Sequence, residues 1–492
     1  MRHTSSALAL LFAGAVPLAA QTPVFDLDAV VISGGLTPVQ AQAYGRAHTV
    51  VTARDIEERG LRSVQDALRA VPGLSVSSTG TSLTQIRIRG GEARHTLILI
   101  DGIPAKGGDD EYQLTGLETA NIERIEVLRG PQSVLYGSNA SAGVVNIITR
   151  KGVAGTQYGG SVELGNGASA SAFVSTRGAR GGLAFNLSHR DDKGYDYSGT
   201  PGGEKDGIRR TTFGLSGDVQ ATEDLRLGFT LRRAKERFDY DATNWAATSA
   251  DTYVLDDPTL TTRRDERTGE VFAELDSFGG RLTHRLAYQE SVFRSGMPGA
   301  VPTTGTTKQW KYRATLGLDG LPVDRSTQRL SLAIDRRKDA SSLSPTDRRG
   351  RRSVALEYQG EFFGGLDVQA GVRRDFNDVF ADATTWSVGL SYTLPDSGIR
   401  FHGSAGAGSV NPSYYNLFAN DPWTLGNPNL APERNRGFDI GVEAQFLDGR
   451  GVVDVTLFRE TLTDKFDYVN NAAADGSGRA TYRNLAGRSP RK

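Results

Sequence analysis

The chain contains no cysteine. That removes thiol catalysis, zinc–thiolate sites and any disulfide framework together. Neither sign of charge is in excess, because 57 Lys and Arg balance 57 Asp and Glu, so the global balance gives no sign of nucleic acid as a partner. Six histidines are scattered, and no GxSxG, HExxH or comparable constellation is present, so the chain is not expected to be an enzyme and no redox cofactor is implied. After the first twenty residues no apolar run reaches about eighteen residues, which excludes a transmembrane helix there.

What is present begins with an export signal. Arg2 and His3 precede an apolar stretch at 7–16, and Ala19 and Ala20 stand before Gln21; residues 1–20 read as a secretory signal peptide. Residues 21–48 lack periodicity except for one β-prone island, Asp28, Ala29, Val30, Val31, Ile32 and Ser33. That island reads as a loose N-terminal strand or as a segment that adds to the exposed sheet edge of another protein.

Residues 49–152 carry a mixed α/β pattern. Ser63 with Asp66 three residues on marks the start of a helix over 64–71, and Pro72-Gly73 ends it. Ile86 and Ile88 alternate with Gln85, Arg87 and Arg89, and 96–100 is an apolar strand closed by Asp101-Gly102. The densest turn chemistry lies in 121–151. Asn121 predicts a short helical turn, followed by a strand, a Gly130-Pro131 turn, a loop punctuated by Gly137 and Gly143, and a buried strand at 144–148.

From residue 159 onward no helix is expected. Segments of roughly eight to twelve residues alternate, apolar on one face and polar or charged on the other, with turns between them. Leu225, Leu227, Phe229 and Leu231 interleave with Arg226, Gly228, Thr230 and Arg232; Trp386, Val388, Leu390 and Tyr392 interleave with Ser387, Gly389 and Ser391. Some connections are short and others long and polar. These are the marks of a transmembrane β-barrel, with roughly sixteen strands between 159 and 482. A soluble sandwich or propeller is the competing fold. The polar face stays charged in strand after strand, as a wet lumen requires, and no period of 20–50 residues marks blades.

Several stretches together resemble TonB-dependent outer-membrane receptors: VVTARDIEERGLRSVQDALRAVPGLSV at 50–76, IRIRGGEARHTLILIDGIP at 86–104, the whole of 121–151, GNPNLAPE at 426–433, GFDIGVE at 437–443 and YRNLAGRSPRK at 482–492. The resemblance implies an all-β antiparallel barrel at 159–492 in a Gram-negative outer membrane, with an N-terminal α/β plug at 49–152 inside its lumen. In that family the barrel has roughly 22 strands around a plugged lumen, so the C-terminus is expected to be truncated. The island 28–33 then resembles the TonB box, the segment that adds as a strand to TonB, which is driven by an inner-membrane energising complex. A monomer surrounded by outer-membrane lipid is implied, and a passive pore is disfavoured by the plug.

Within the family the chain resembles the cobalamin transporter subgroup most, including the histidine before LILIDG. The resemblance implies active uptake of cobalamin or a related corrinoid; a ferric siderophore or other metal chelate is the alternative. It places Leu83, Gln85, Glu92, Asp110 and Glu111 at substrate-facing plug positions, where Asp109, Asp110 and Glu111 would repel strongly anionic chelates. Arg89 and Arg129 match arginines that lock the plug to barrel glutamates. Two acidic loops match calcium-binding loops of that subgroup, with Asp196, Glu204, Asp206, Tyr240, Asp241 and Asp257 as candidate ligands. Calcium takes six to eight oxygens, which carboxylates and carbonyls of two facing loops can supply; acidic residues in such loops are otherwise solvated.

Overall fold

A computed structural model of the chain describes residues 31–77, 84–108, 112–244, 246–447 and 450–492. Residues 1–20, the expected signal peptide, and Asp28, Ala29, Val30, Leu83, Asp110 and Glu111 lie outside the described residues.

The N-terminal domain is built on a five-stranded sheet. Its spatial order is His48–Thr52, Ile122–Arg129, Gly143–Thr149, Thr96–Ile100, Ile103–Pro104. Thr96–Ile100 and Gly143–Thr149 run parallel, and the other neighbours are antiparallel. Two capped helices close the apolar side. Ser63 accepts from the Asp66 amide and donates to its carboxylate at 2.6 Å, starting the helix Val64–Arg69. Thr52 and Asp55 form a reciprocal box at the helix Ala53–Glu58. Each such cap contributes about 1 kcal/mol. Val64, Leu68, Ile88, Ile125, Val145 and Ile147 pack as one buried core.

Asn121 starts no helical turn. Its carbonyl accepts from Arg150 N at 3.0 Å, and strand Ile122–Arg129 begins at the next residue, so the backbone is already committed to the sheet. The helical turn comes later, at Ser133–Tyr136, inside the loop between the two strands, and Gly137 ends it at φ 77°.

Sixteen antiparallel strands follow, from Gly155–Leu164 to Arg488–Arg491, each paired with its predecessor in the wall. Their inside-out alternation is the reverse of a soluble protein. Leu231, Ile334, Val354, Trp386 and Leu457 are exposed on the outer face, while Arg232, Asp335, Ser353, Glu357 and Ser391 are buried on the inner one. An apolar band outside and a polar lumen inside are what a lipid-embedded barrel requires. Connections at one end are mostly short, such as 363–365; those at the other include 193–207, 240–260, 411–432 and 464–487.

Two features depart from expectation. Strands reach 19 residues, as in Ser344–Phe362, because they continue past the apolar band toward the long loops. The C-terminal part is not helix-free: Ser413 caps the short helix Tyr414–Phe418, and a 3-10 turn spans Ala250–Thr252. Among the described residues no pairing joins the first and last wall strands.

Candidate functional site: a plugged lumen and the loops above it

The N-terminal segment is threaded along the wall before the plug begins. Val31–Ile32 pairs antiparallel with Val39–Gln40, and Ile32 is buried against Tyr44, Leu99 and Val144. Ser33 meets three plug side chains: its amide donates to Glu126 Oε2 at 3.0 Å, its carbonyl accepts from Tyr136 Oη at 2.7 Å, and its hydroxyl accepts from Asn146 at 3.1 Å. The next residues bind the barrel. Leu36 N donates to Glu357 Oε2 at 2.6 Å, Gln369 donates to the Gly34 carbonyl at 2.8 Å, and Gln359 to the Thr37 carbonyl at 3.1 Å. Arg313 donates to the Leu36 carbonyl. The last three residues of the 28–33 island are thus held by pairing and by the plug in this conformation.

The two arginines proposed to lock the plug behave differently. Arg89, at φ 50°, reaches Asp439 at 3.0 Å and stands 3.9 Å from Glu460, with its guanidinium over the Phe458 ring. Arg129 donates instead to Thr49 Oγ1 at 2.9 Å and the Pro72 carbonyl at 2.6 Å, so among the described residues its hydrogen bonds stay within the plug and it reaches no barrel glutamate. Arg129 sits at the end of a central plug strand, where the neighbouring backbone carbonyl is nearer than the wall.

A larger ionic contact lies elsewhere. Arg210, Arg232 and Arg264 on three neighbouring wall strands surround Glu236 and Glu266, with Arg210–Glu266 at 2.8 Å and Arg232–Glu266 at 3.1 Å. Plug residues close it: Tyr112 donates to Glu266 at 3.1 Å, Thr115 to Glu236, and Arg264 to Gln113 Oε1 at 2.7 Å. Alternation marks these five as lumen-facing; their pairing depends on strand register.

At the plug apex, Glu92 is engaged by Arg94 at 2.5 Å and by Lys465 of a long loop at 2.9 Å. Gln85 accepts from Arg87 at 2.7 Å. His95 accepts from Glu92 N at Nδ1, which leaves the Nε2 proton to donate to Glu433 at 2.6 Å. Burial lowers its pKa, which favours that neutral form.

The loops 193–207 and 240–260 meet each other at the long-loop end of the barrel. Carboxylate oxygens of Glu204, Asp206 and Asp241 all lie within 4.8 Å of one another. Asp206 is buried and neither of its oxygens has a hydrogen-bond partner; Glu204 Oε2 is likewise unpartnered. Burial, then Asp241 and Glu204, raise Asp206 to about 7, and burial also raises Asp241. Gly194 (φ 68°) makes the approach possible, since a Cβ there would stand 1.8 Å from the Asp206 carbonyl. Asp196 lies alongside with one oxygen accepting from Ser198 and Gly199. Asp257 is not in the cluster: its carboxylate accepts from Thr259 N and Oγ1 in its own turn, while its amide donates to Asp241. Tyr240 precedes Asp241, its ring 5.9 Å from Phe238.

Residues 40–144 match the model of the TonB-dependent receptor plug domain, and 152–491 match that of the TonB-dependent receptor-like β-barrel. The chain belongs to the TonB-dependent receptor family. This receptor is similar to the vitamin B12 transporter BtuB of Vibrio vulnificus strain YJ016, 24% identical over 440 residues that cover 85% of this chain and 68% of that one. BtuB of strain CMCP6 is 25% identical over 410 residues, 81% of this chain and 64% of its own length. The receptor therefore spans about two thirds of these relatives.

Solved structures share its fold at lower identity. The siderophore receptor PirA of Acinetobacter baumannii superposes with a TM-score of 0.70 at 19% identity, over 90% of this chain and 76% of that one. The ferric enterobactin receptor PfeA of Pseudomonas aeruginosa gives 0.71 at 19%, again over 90% and 76%.

Proposed function

We propose that the receptor takes up cobalamin or a related corrinoid across the outer membrane of a Gram-negative bacterium, driven by TonB. The observation that carries this reading is the trio Glu204, Asp206 and Asp241 on two facing loops at the long-loop end of the barrel, with three oxygens lacking partners. An all-oxygen, strongly acidic set suits a hard cation, and calcium tolerates such irregular loop geometry. The orphaned Asp206 carboxylate is costly without a counter-ion, so the residues fit calcium. Bound there, calcium would tie the two loops together over the ligand, with Asp196 within reach. The named activity of the Vibrio relatives, vitamin B12 transport, supports the ligand class.

Transport in this reading uses no covalent chemistry. Ligand bound between the apex and the loops favours release of the 28–33 island, which then adds as a strand to TonB. Because Val31–Ile32 is already paired with Val39–Gln40, that pairing must open first. Calorimetric titration with calcium and then cyanocobalamin tests the reading. Heat with both supports it, and no cyanocobalamin binding at saturating calcium overturns it.

A second reading, uptake of a ferric siderophore, draws on a different feature. Arg337, Arg349 and Arg351 line a lumenal cavity with Asp339, which pairs Arg337, and with Ser138 and Asn139 of the plug, leaving a net positive lining. A cationic cavity suits an anionic metal chelate. A panel of ferric siderophores in the same titration separates the two.

A further inference from the structure

The outer face of the barrel changes character at one level. Toward the long loops, exposed Leu231 gives way to Arg233, Ile334 to Arg336, Val354 to Arg352 and Phe438 to Arg436, each two residues apart on one strand face. Toward the short turns the outer face stays apolar, as at Leu394 and Phe446. Charged residues thus flank the band on the long-loop side, where Asp265 pairs Arg233 and Asp191 pairs Arg209.

Register concentrates this charge at one place. Arg336 stands directly opposite Arg352, Lys338 opposite Gly350, and Lys308 opposite Lys338. Like charges opposite each other on one sheet face destabilise the pairing unless an anion lies between them. Lys308 leans to Glu290 at 3.8 Å, whereas Arg336, Lys338 and Arg352 make no ion pair among the described residues. Gly350 leaves a gap in the wall, with Asp378 folded over it: a Cβ at Gly350 would stand 2.1 Å from Asp378 Oδ2. The result is a cleft of about 350 Å³ lined by Arg336, Lys338, Gly350, Arg352 and Asp378, with Arg337 and Arg351 behind them. Arg337 and Arg351 turn to the lumen, where Asp339 and Asp375 pair them, so three outward cations face one carboxylate.

Guanidinium groups bind phosphate oxygens through paired, charge-assisted hydrogen bonds. At the edge of a lipid-facing band the nearest phosphates are those of lipid headgroups. We propose that this cleft binds the phosphate groups of an anionic lipid in the leaflet on the long-loop side. The assignment rests on the barrel spanning the outer membrane as proposed above, and it is independent of which ligand is imported.

The test uses the purified full chain in micelles, with diphosphoryl lipid A, dephosphorylated lipid A, phosphatidylcholine or inorganic phosphate added, and native mass spectrometry as readout. Each cation at a charged lipid surface contributes about fivefold in binding, so R336Q/K338Q/R352Q is expected to hold diphosphoryl lipid A roughly a hundredfold more weakly. The charge-conserving R336K/K338R/R352K is expected to hold it like the parent. Equal retention of phosphorylated and dephosphorylated lipid overturns the proposal, as does an unaltered glutamine variant. Inorganic phosphate binding as tightly as lipid A overturns the lipid assignment. Heat-modified gel mobility checks that each variant is folded. Calcium and cyanocobalamin titrations on the same samples fail or succeed separately, so the two readings are distinguishable.

Discussion

Truncating Glu357 should free the tether between Gly34 and Thr37 while leaving Ser33 docked. Glu357 is buried in the lumen wall, and Leu36 N donates to it at 2.6 Å. It also orients two glutamines: Gln369 donates to it at 2.8 Å and to the Gly34 carbonyl, and Gln359 donates to it at 2.9 Å and to the Thr37 carbonyl. In Glu357→Ala the Leu36 amide loses its acceptor, and an orphaned buried donor costs about 1–3 kcal/mol. Loss of the two oriented glutamines adds roughly 1 kcal/mol. A total near 3 kcal/mol shifts the docked-to-released equilibrium by roughly a hundredfold. Hydrogen exchange at the Leu36 amide reads that shift directly, since exchange follows local opening. Glu357→Gln keeps a carbonyl acceptor and should accelerate exchange by less than about tenfold. The Ser33 amide, held by Glu126, should stay protected in both variants. Unchanged Leu36 exchange in Glu357→Ala would refute the reasoning, as would equal effects of Ala and Gln.

Other expectations follow from the same contacts. Arg89→Ala leaves Asp439 buried without its partner and should lower plug stability by about 3–5 kcal/mol, seen as an earlier urea transition of the plug. Asp206→Asn should abolish the calcium heat in calorimetry, with the fold and the barrel's gel mobility intact. Asp206 is raised from 3.8 to about 7, so its protonated form stabilises the metal-free loops below about pH 4, and that contribution is lost as pH rises through 7. Calcium must displace the proton; its affinity should therefore rise about tenfold per pH unit from 5 to 6 and level off above 7. Val31→Pro should abolish uptake in cells while ligand binding to the purified receptor persists, because proline cannot donate to an added strand.

The barrel was legible because the alternation repeats with a polar face in strand after strand: Trp386, Val388 and Leu390 are exposed on one face, and Thr385 and Ser391 are buried on the other. The helix at Val64–Arg69 was legible for a local reason, the Ser63–Asp66 cap. What escaped is what register and topology decide. Arg129 resembled a plug–barrel lock by motif, yet Pro72 and Thr49 of its own domain reach it first. Arg210, Glu236 and Glu266 are ordinary lumen charges in the sequence; only the offset between neighbouring strands brings them under Tyr112 and Thr115. Asp241 and Asp257 look alike in an acidic loop, but a threonine two residues on turns Asp257 back into its own turn. Glu126, the acceptor for Ser33, lies 93 residues from it in the chain, and no local pattern could pair them.

The division between apolar and polar contacts bears on how such a plug can move. The large apolar cluster is made almost wholly of plug residues, from Val51 to Ile147, with Phe293 joining from the wall. Most plug–wall contacts named above are instead hydrogen bonds and ion pairs, with Arg89 over Phe458 and Leu36 against Ala333 and Ala355 as exceptions. Exposing apolar surface costs about 25 cal/mol per Å², whereas a hydrogen bond exchanged for one to lumen water costs only about 1 kcal/mol net. Pulling on the tether therefore breaks many small contacts in turn before it threatens the core. The chain then enters the plug at His48–Thr52, an edge strand whose one sheet neighbour is Ile122–Arg129. An edge strand can peel from one partner without opening the rest of the sheet. Force applied near Val31 thus meets the tether first, the edge strand second and the core last, so partial unfolding from the N-terminal edge costs less than expelling the plug whole.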